Sequence, residues 1–191
     1  MDRNLAVAVS SAKLTQVRGA FRRHASPSVR TLTGSPAGGR WGPPGAYSVL
    51  YLGRPRESVV AEAYRHLVDD VEGMTGDLVG PRRFFTCDVA VTKILDLREP
   101  ASREAVGLGL EDLSGPHAPC QRIGQAAHQL ELHGVIAPAA TRLGDTLALF
   151  ERHLPESEFP RLVDEETWAS LPLDPRPLFL LDAEGSSDGT T

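Results

Sequence analysis

Residues 38–45 of the 191-residue chain read Gly-Gly-Arg-Trp-Gly-Pro-Pro-Gly, and the apolar run Val-Leu-Tyr-Leu follows at residues 49–52. The prolines stiffen this loop and the glycines free it for unusual backbone angles, so it presents Arg40 as a permanent positive charge. A strand aromatic, Tyr51, and a helical carboxylate, Glu62, come shortly afterwards. A cation, an aromatic ring and an acid so close together predict a site for an anionic ligand that carries a ring.

The segment leading into this loop is basic, although the whole chain has a formal net charge of −5. From residue 13 to residue 40 there is no Asp or Glu, whereas the segment contains Lys13, Arg18, Arg22, Arg23, Arg30 and Arg40. The negative net charge argues against a general nucleic-acid surface. A local basic segment in an acidic protein is suited to a phosphorylated small molecule.

The length and composition indicate one folded domain with a substantial core. The longest apolar stretch near the start, residues 5–9, is too short for a signal sequence, and no stretch approaches the roughly 20 apolar residues of a membrane span. We therefore expect a cytoplasmic protein that contacts no membrane. In that compartment Cys87 and Cys120 are expected to be buried thiols and not a disulfide.

Hydrophobic periodicity predicts strands interleaved with helices, and therefore a single mixed domain of the α/β or α+β class. The predicted strands cover residues 19–23, 47–52, 84–91, 93–97, 135–137 and 146–150. The predicted helices cover residues 55–72, with a core stripe of Val60, Ala63, Tyr64, Leu67 and Val71, then one or two short helices within 100–113, and helices over 119–133 and 165–170. Gly73 is expected to stop the first helix, and residues 185–191 are expected to be disordered.

Several common site types do not fit the sequence. The glycine-rich loop lacks the Gly-Lys-Ser/Thr of a P-loop, and it precedes a strand, unlike a dinucleotide fingerprint. His117 and Cys120 have zinc-like spacing without a second pair, so no metal site is predicted. The one Gly-x-Ser-x-Gly match, at residues 185–189, has only two residues after it and so lacks the helix of a nucleophile elbow.

Several separated motifs, taken in order, resemble the RES domain family. They are Phe-Arg-Arg-His at residues 21–24, Gly-Gly-Arg-Trp-Gly at 38–42, Leu-Tyr-Leu at 50–52, the helix around Glu62, and the stretch 125–150 with His-Gly-Val-Ile-Ala-Pro. The resemblance covers roughly residues 15–155. We therefore expect an N-terminal segment over 1–14, the RES domain over 15–155, a C-terminal extension packing on it over 156–184, and a tail over 185–191.

The resemblance implies a fold similar to ADP-ribosyltransferase toxins and a role as an NAD⁺-degrading toxin of a bacterial toxin–antitoxin pair. It implies NAD⁺ as substrate, no resident cofactor, phosphate or water as acceptor, and a cognate antitoxin as protein partner. By motif, Arg40 and Glu62 are the candidate catalytic residues, while Arg23 and Tyr51 are candidates for substrate binding. The arginines suit the pyrophosphate, and the carboxylate suits an oxocarbenium-like centre or the ribose hydroxyls.

The family serine is where this chain departs from the pattern. The position after Pro138 is occupied by Ala139, and Thr141, two residues further on, is the nearest candidate hydroxyl. Two alternatives to an NAD⁺ phosphorylase or glycohydrolase therefore stay open. One is a protein ADP-ribosyltransferase, and the other is a catalytically reduced protein that binds NAD⁺ or a partner.

Overall fold

The computed structural model describes residues 3–179. Its helices are α1 (Arg3–Ser10), α2 (Arg56–Tyr64), α3 (Pro100–Ala105) and α4 (Ala118–Gln129). Its strands are β1 (Leu14–Ala25), β2 (Val49–Arg54), β3 (Arg82–Asp96), β4 (Gly134–Pro138), β5 (Asp145–Phe150) and β6 (Arg161–Trp168). Helices alternate with strands of one sheet, which confirms the predicted mixed class.

The sheet closes on itself. Its strand order is β1-β2-β5-β4-β3-β6, and β1 pairs with β3 as well as with β2. The first five strands therefore form a ring in which the pair β3–β4 is parallel and the other pairs are antiparallel. β6 lies outside the ring, along the first half of β3, with Trp168 opposite Arg82. Closure removes the free edges that the five ring strands would expose in an open sheet, and β6 is left as the edge strand.

The core cluster beside the glycine-rich loop is formed where α4 packs on the sheet. Ile123 and Ala127 of α4 belong to the same buried cluster as Val135 and Phe150 of the sheet. Trp41, from the loop itself, is 1% exposed and joins this cluster. The loop is therefore anchored by its own tryptophan, which holds the adjacent Arg40 in place.

The helix that carries Glu62 is shorter than the predicted span of 55–72. α2 ends at Tyr64, and the chain continues through one wider π-helical turn, Arg65–Asp69. This turn changes the spacing of successive side chains, so Val71, the last residue of the predicted core stripe, does not face the core. Its side chain is 44% exposed. Gly73 follows in the left-handed region, with φ of 74°.

The predicted pair of strands over 84–91 and 93–97 is a single strand, β3. The split was wrong because β1 pairs with β3 along its whole length and carries the pairing past Lys93, whose φ is 50°. α4 ends at Gln129, four residues before the predicted end, and Glu131 there has a φ of 55°. α3 and a 3₁₀ turn, Glu111–Leu113, confirm short helices within 100–113.

The helix predicted over 165–170 was wrong, because residues 165–168 belong to β6. Pairing with β3 satisfies its backbone, and Glu165 forms an ion pair with Arg83 across the two strands. Trp168 stacks on Phe84 with ring centroids 4.4 Å apart. The residues that make these contacts are more than 80 positions apart in sequence, so local strand or helix propensity could not predict them.

Three further expectations concern the cysteines, the membrane and the tail. Cys87 and Cys120 are both buried free thiols, as predicted. Within residues 3–179, no helix has the length and apolar character that crossing a membrane requires. The tail over 185–191 lies outside the described residues.

Candidate functional site

A cavity of about 390 Å³ lies where the glycine-rich loop, β1, β2 and α2 meet. Four of the candidate site residues line it, namely Arg23, Arg40, Tyr51 and Glu62. Other polar residues of the lining are Arg22, His24, Ser58, Arg65, His66, His117 and Thr146. The cavity therefore combines one carboxylate with several cationic or neutral donors, which is a composition suited to an anionic ligand with hydroxyl groups.

The Arg40 loop is held in a tight turn. The amide of Gly39 donates to the carbonyl of Gly42 at 2.8 Å, and Gly38 has a φ of 86°, which favours glycine. Nη1 of Arg40 donates to the carbonyls of Asp112 and Gly115 at 2.9 and 3.1 Å. Its Nη2 is buried and makes no hydrogen bond to any residue the structure describes. Nη1 is thus fixed by the protein, while Nη2 keeps a donor without a partner in the described chain.

Tyr51 joins β2 to this loop. Its hydroxyl oxygen accepts a hydrogen bond from the amide of Trp41 at 2.9 Å. A Cβ on Gly39 would stand 2.7 Å from that oxygen, so only glycine allows the close approach. Burial raises the pKa of Tyr51 to about 12, even though the Trp41 amide and the charge of Arg40 lower it. The phenol therefore keeps its proton at neutral pH and can donate it to a ligand.

Glu62 is the carboxylate of the cavity, and its neighbours keep it ionised. Burial raises its pKa, but a hydrogen bond and charge from His66, the charge of Arg65 and the Thr141 amide together lower the pKa below its ordinary value. The carboxylate lies 3.4 Å from Nε2 of His66 and 3.7 Å from Nη1 of Arg65. The Thr141 amide reaches its Oε1 at 3.3 Å. Glu62 thus presents a negative charge inside a largely cationic cavity.

β1 contributes Arg23 and His24 to the lining. Nη1 of Arg23 donates to the carbonyl of Thr33 at 2.6 Å, and burial lowers the pKa of Arg23 while the charge of Glu151 raises it. His24 is a different kind of group. Burial, followed by the charges of Arg82 and other cations, lowers its pKa to about 3, so the imidazole is neutral.

The contact between His24 and Arg82 determines which ring nitrogen of the histidine carries hydrogen. Nη2 of Arg82 lies 3.3 Å from Nδ1 of His24. A guanidinium can only donate, so Nδ1 accepts and the proton of the neutral ring is on Nε2. His24 therefore has an N–H donor at Nε2 and stays neutral around neutral pH.

Ala139 and Thr141 are not among the residues that line the cavity. Ala139 is 1% exposed, and its amide donates to the carbonyl of Gly144 at 2.7 Å. Thr141 reaches the site through its amide, whereas its hydroxyl is buried without a hydrogen-bond partner in the described chain. Pro138 and Ala140 are the residues of this segment that line the cavity.

Sequence reasoning overlooked several of the lining residues. Ser58 precedes Glu62 by four positions, and this spacing places two helical residues on the same face, which is a signal that was available. His66 has the same spacing on the other side of Glu62. His117 comes from a loop remote in sequence, so nothing local indicated that it would line the cavity. As regards metals, residues 3–179 contain no group of three or more His, Cys, Asp or Glu side chains that could hold an ion.

Comparison with known proteins agrees with these features. The RES domain model matches residues 14–175. The NAD(+) phosphorylase MbcT of Mycobacterium tuberculosis H37Rv is 34% identical over 116 residues, which are 60% of this chain. The match spans 62% of the length of MbcT, less than two thirds. A probable NAD(+) phosphorylase of the same strain is 34% identical over 164 residues, covering 81% of this chain and 75% of the relative.

A solved structure shows the same fold. The toxin–antitoxin complex MbcT–MbcA of M. tuberculosis contains a chain that matches with a TM-score of 0.80 and 26% identity. The match covers 94% of this chain and 97% of that chain. The family model and the structural match each extend over most of the chain. The chain belongs to the RES domain family.

Proposed function

We propose that this protein is an enzyme that degrades NAD⁺ by cleaving the bond between nicotinamide and ribose, with phosphate or water as the acceptor. Membership of the RES family supports the proposal, as do relatives named NAD(+) phosphorylases. The observation that carries it is the ionised Glu62 carboxylate, which lines the same cavity as Arg40, Tyr51 and Arg23.

The chemistry needs little acid catalysis, because the leaving group is a cationic ring. When the bond from the ribose C1′ to nitrogen breaks, its electron pair neutralises the pyridinium, and positive charge develops on the ribose. A carboxylate stabilises that charge or orients the ribose hydroxyls. Glu62 fits this role because its lowered pKa keeps it negative at neutral pH. A phosphate oxygen then bonds to C1′, or a water oxygen does so and releases one proton to solvent.

The pyrophosphate of NAD⁺ needs positive charge and hydrogen-bond donors. Arg40 offers the free Nη2, while its Nη1 stays on the carbonyls of Asp112 and Gly115. Arg23 adds a second guanidinium whose Nη1 is occupied by Thr33. We assign both arginines to the phosphate groups. Each would contribute part of its fork, and both are held in place beforehand by backbone carbonyls.

Tyr51 is assigned to the ribose or the nicotinamide ring. Its hydroxyl oxygen already accepts the Trp41 amide, so its own proton is available for donation. Aromatic rings also stack favourably on flat ligand rings. His24, which is neutral with Nε2 protonated, adds a donor from the β1 side.

Ala139 does not weaken the proposal as much as the family pattern implies. Its side chain is buried and lies outside the cavity lining, so a hydroxyl there is not required to complete the cavity surface. Thr141 supports Glu62 through its amide, and its hydroxyl is the nearest one in this segment. The alternative, a catalytically reduced protein that only binds NAD⁺ or a partner, is distinguished by the experiment below.

We further propose that the acceptor is phosphate and that a cognate antitoxin inhibits the enzyme. The relatives named phosphorylases support the first point, and the toxin–antitoxin complex that this chain resembles supports the second. The cavity lining beside Glu62 carries Arg65, His66 and His117, which are suited to a second anion.

The test is to incubate the purified protein with NAD⁺, with and without inorganic phosphate, and to follow nicotinamide release and the sugar product. We expect nicotinamide release that rises with phosphate, together with a phosphorylated ADP-ribose. Free ADP-ribose without phosphate dependence would mean hydrolysis, and label on protein would mean ADP-ribosyl transfer. Folded protein that binds NAD⁺ calorimetrically without turnover would refute the enzyme and leave the binding protein.

A further inference from the structure

Ser58 lies one helical turn before Glu62 on α2, at the buried side of the cavity. The residue is 1% exposed, and its Oγ is buried without a hydrogen-bond partner among residues 3–179. Leaving a buried hydroxyl without a hydrogen-bond partner is destabilising, so folded proteins rarely keep one without a use. Ser58 nevertheless lines the cavity, where a ligand can supply the missing partner.

The local backbone does not satisfy this hydroxyl. A helical serine commonly donates to the carbonyl four residues earlier. For Ser58 that residue is Arg54, which is the last residue of β2 and precedes the helix. Pro55, between them, has an extended backbone with ψ of −170°, so no helical turn lies beneath Ser58 to offer a stacked carbonyl.

A second hydroxyl near Glu62 provides a contrast. The Oγ1 of Thr141 is also buried without a partner in the described chain, but Thr141 is outside the cavity lining. Its link to the site is the amide that donates to Glu62 at 3.3 Å. Of these two residues, Ser58 is the one that lines the cavity.

We propose that Ser58 is a substrate-contacting residue whose hydroxyl bonds the same ribose that Glu62 holds; this inference rests on the proposed function. Side chains four apart on a helix are about 5–6 Å apart at Cβ, which is a distance that a ribose with two neighbouring hydroxyls can bridge. An ionised carboxylate only accepts hydrogen bonds, whereas a serine hydroxyl both donates and accepts. Glu62 takes one ribose hydroxyl, and Ser58 pairs with the other.

With this role, Ser58 of α2 would supply a hydroxyl to the site, where the family pattern has a serine after Pro138. The two positions differ in how they serve the site. Ala139 is buried away from the cavity, whereas Ser58 lies on the helix face that also carries Glu62. A hydroxyl on the same rigid element as the carboxylate keeps a constant distance from it, which favours recognition of a fixed pair of ribose oxygens.

The experiment compares wild type, Ser58→Ala and Ser102→Ala, a half-buried helical serine of α3 outside the cavity lining. For each protein, kcat/KM is measured with NAD⁺ and with two analogues that lack one hydroxyl of the nicotinamide ribose. Losing one hydrogen bond to the substrate should lower kcat/KM of Ser58→Ala about 5- to 30-fold. Ser102→Ala should equal wild type.

The analogues separate a direct contact from a structural role. One of them should be poor for wild type yet lose nothing further with Ser58→Ala, because the two changes remove the same hydrogen bond. The melting temperature of Ser58→Ala should be unchanged or higher, since no protein partner is lost and alanine favours helices. Ser58→Cys, similar in size but a weak donor, should resemble Ser58→Ala in its kinetics.

Two results would overturn the inference while leaving the proposed function intact. One is an active wild type with Ser58→Ala at the same kcat/KM. The other is a Ser58→Ala variant whose loss is the same for NAD⁺ and for both analogues, with a lowered melting temperature. If the folded wild type consumes no NAD⁺, the proposed function fails, and the role of Ser58 fails with it.

Discussion

The two flanks of the cavity hold their candidate catalytic residues, a cation on one flank and an anion on the other, in different ways. On the loop flank, Arg40 is fixed by main-chain carbonyls, and the adjacent Trp41 is buried in the core under α4. On the helix flank, Glu62 is surrounded by the ionisable side chains of Arg65 and His66, at 3.7 and 3.4 Å. Backbone contacts hold the cation, whereas charged side chains keep the anion ionised.

Because of this difference, we expect substitutions on the two flanks to affect different properties, namely stability and turnover. Changes on the loop flank disturb packing between segments far apart in sequence, so they should first reduce the free energy of unfolding. Changes on the helix flank touch a half-buried charge with solvent-accessible neighbours, so they should first reduce turnover. His24 of β1 also lines the cavity, and its lowered pKa reports on burial there.

The largest effect is expected from removing the negative charge of Glu62 on the helix flank. Glu62→Gln keeps the size of the side chain but cannot stabilise developing positive charge, so we expect a 10²- to 10³-fold loss of kcat, roughly 3–4 kcal/mol. The measurement is nicotinamide release at saturating NAD⁺. Glu104→Gln, at an exposed position of α3, is the matched control and should keep full activity. A Glu62→Gln variant within tenfold of wild type would remove Glu62 from the chemistry.

The next effect disrupts the anchoring of the loop flank. A Cβ on Gly124 of α4 would lie 2.1 Å from the carbonyl oxygen of Trp41, a backbone atom. Alanine gains about 1 kcal/mol of helix propensity, but the collision outweighs it, so Gly124→Ala should lower the free energy of unfolding by about 1–3 kcal/mol net. Denaturant unfolding measures this. Gly80→Ala, whose Cβ would meet nothing within 4 Å, should unfold like wild type; equal stabilities for the two variants would contradict the anchoring role.

The pH dependence of the free energy of unfolding tests the burial of His24. The folded pKa of His24 is about 3, against 6.5 ordinarily, so between these pH values the unfolded chain binds one more proton. The stability that this group contributes is complete above about pH 6.5 and falls by ~1.4 kcal/mol per pH unit as the pH drops towards 3.

The check is the slope of unfolding free energy against pH between 6 and 4.5, for wild type and His24→Gln. The variant should show a slope lower by about one proton. His117 and His128, whose pKa values burial also lowers, are present in both proteins and cancel in the difference. Equal slopes would mean that His24 titrates as it does in water.

The smallest effect is expected from replacing Arg40 by lysine, which tests whether its shape matters as well as its charge. Lysine keeps the charge but lacks the planar fork that reaches two carbonyls and still leaves a donor free. Arg40→Lys should lose about 1 kcal/mol of stability and raise the KM for NAD⁺ about fivefold, with a smaller change in kcat. Arg30→Lys, at an exposed position of the same basic segment, serves as the control. Unchanged KM and stability would show that only the charge of Arg40 matters.

Much of the site could be predicted from residue order alone. The strand with Tyr51, the helix with Glu62 and the loop with Arg40 each have a strong local pattern, and the structure brings all three to one cavity. Prediction failed where partners are remote in sequence. The segment 165–170 was predicted to be a helix, yet its residues 165–168 pair with β3 as a strand.

The roles of hydroxyl groups were the least predictable part. The family pattern drew attention to Ala139, while the structure has Ser58 in the cavity lining. Whether a hydroxyl faces a cavity depends on the rotation of its helix and on the lack of a backbone acceptor. Neither property is written in the identity of the residue.

The sequence by itself determined the fold class, the RES family and most of the charged groups of the cavity, because periodicity and motif order act over short distances along the chain. Only the tertiary structure decided how those groups are used. It ties half of the Arg40 fork to backbone carbonyls, keeps His24 neutral beside Arg82, and leaves the Ser58 hydroxyl without a partner. Each of these depends on which distant segments exclude water and which backbone groups they present, and packing alone sets both.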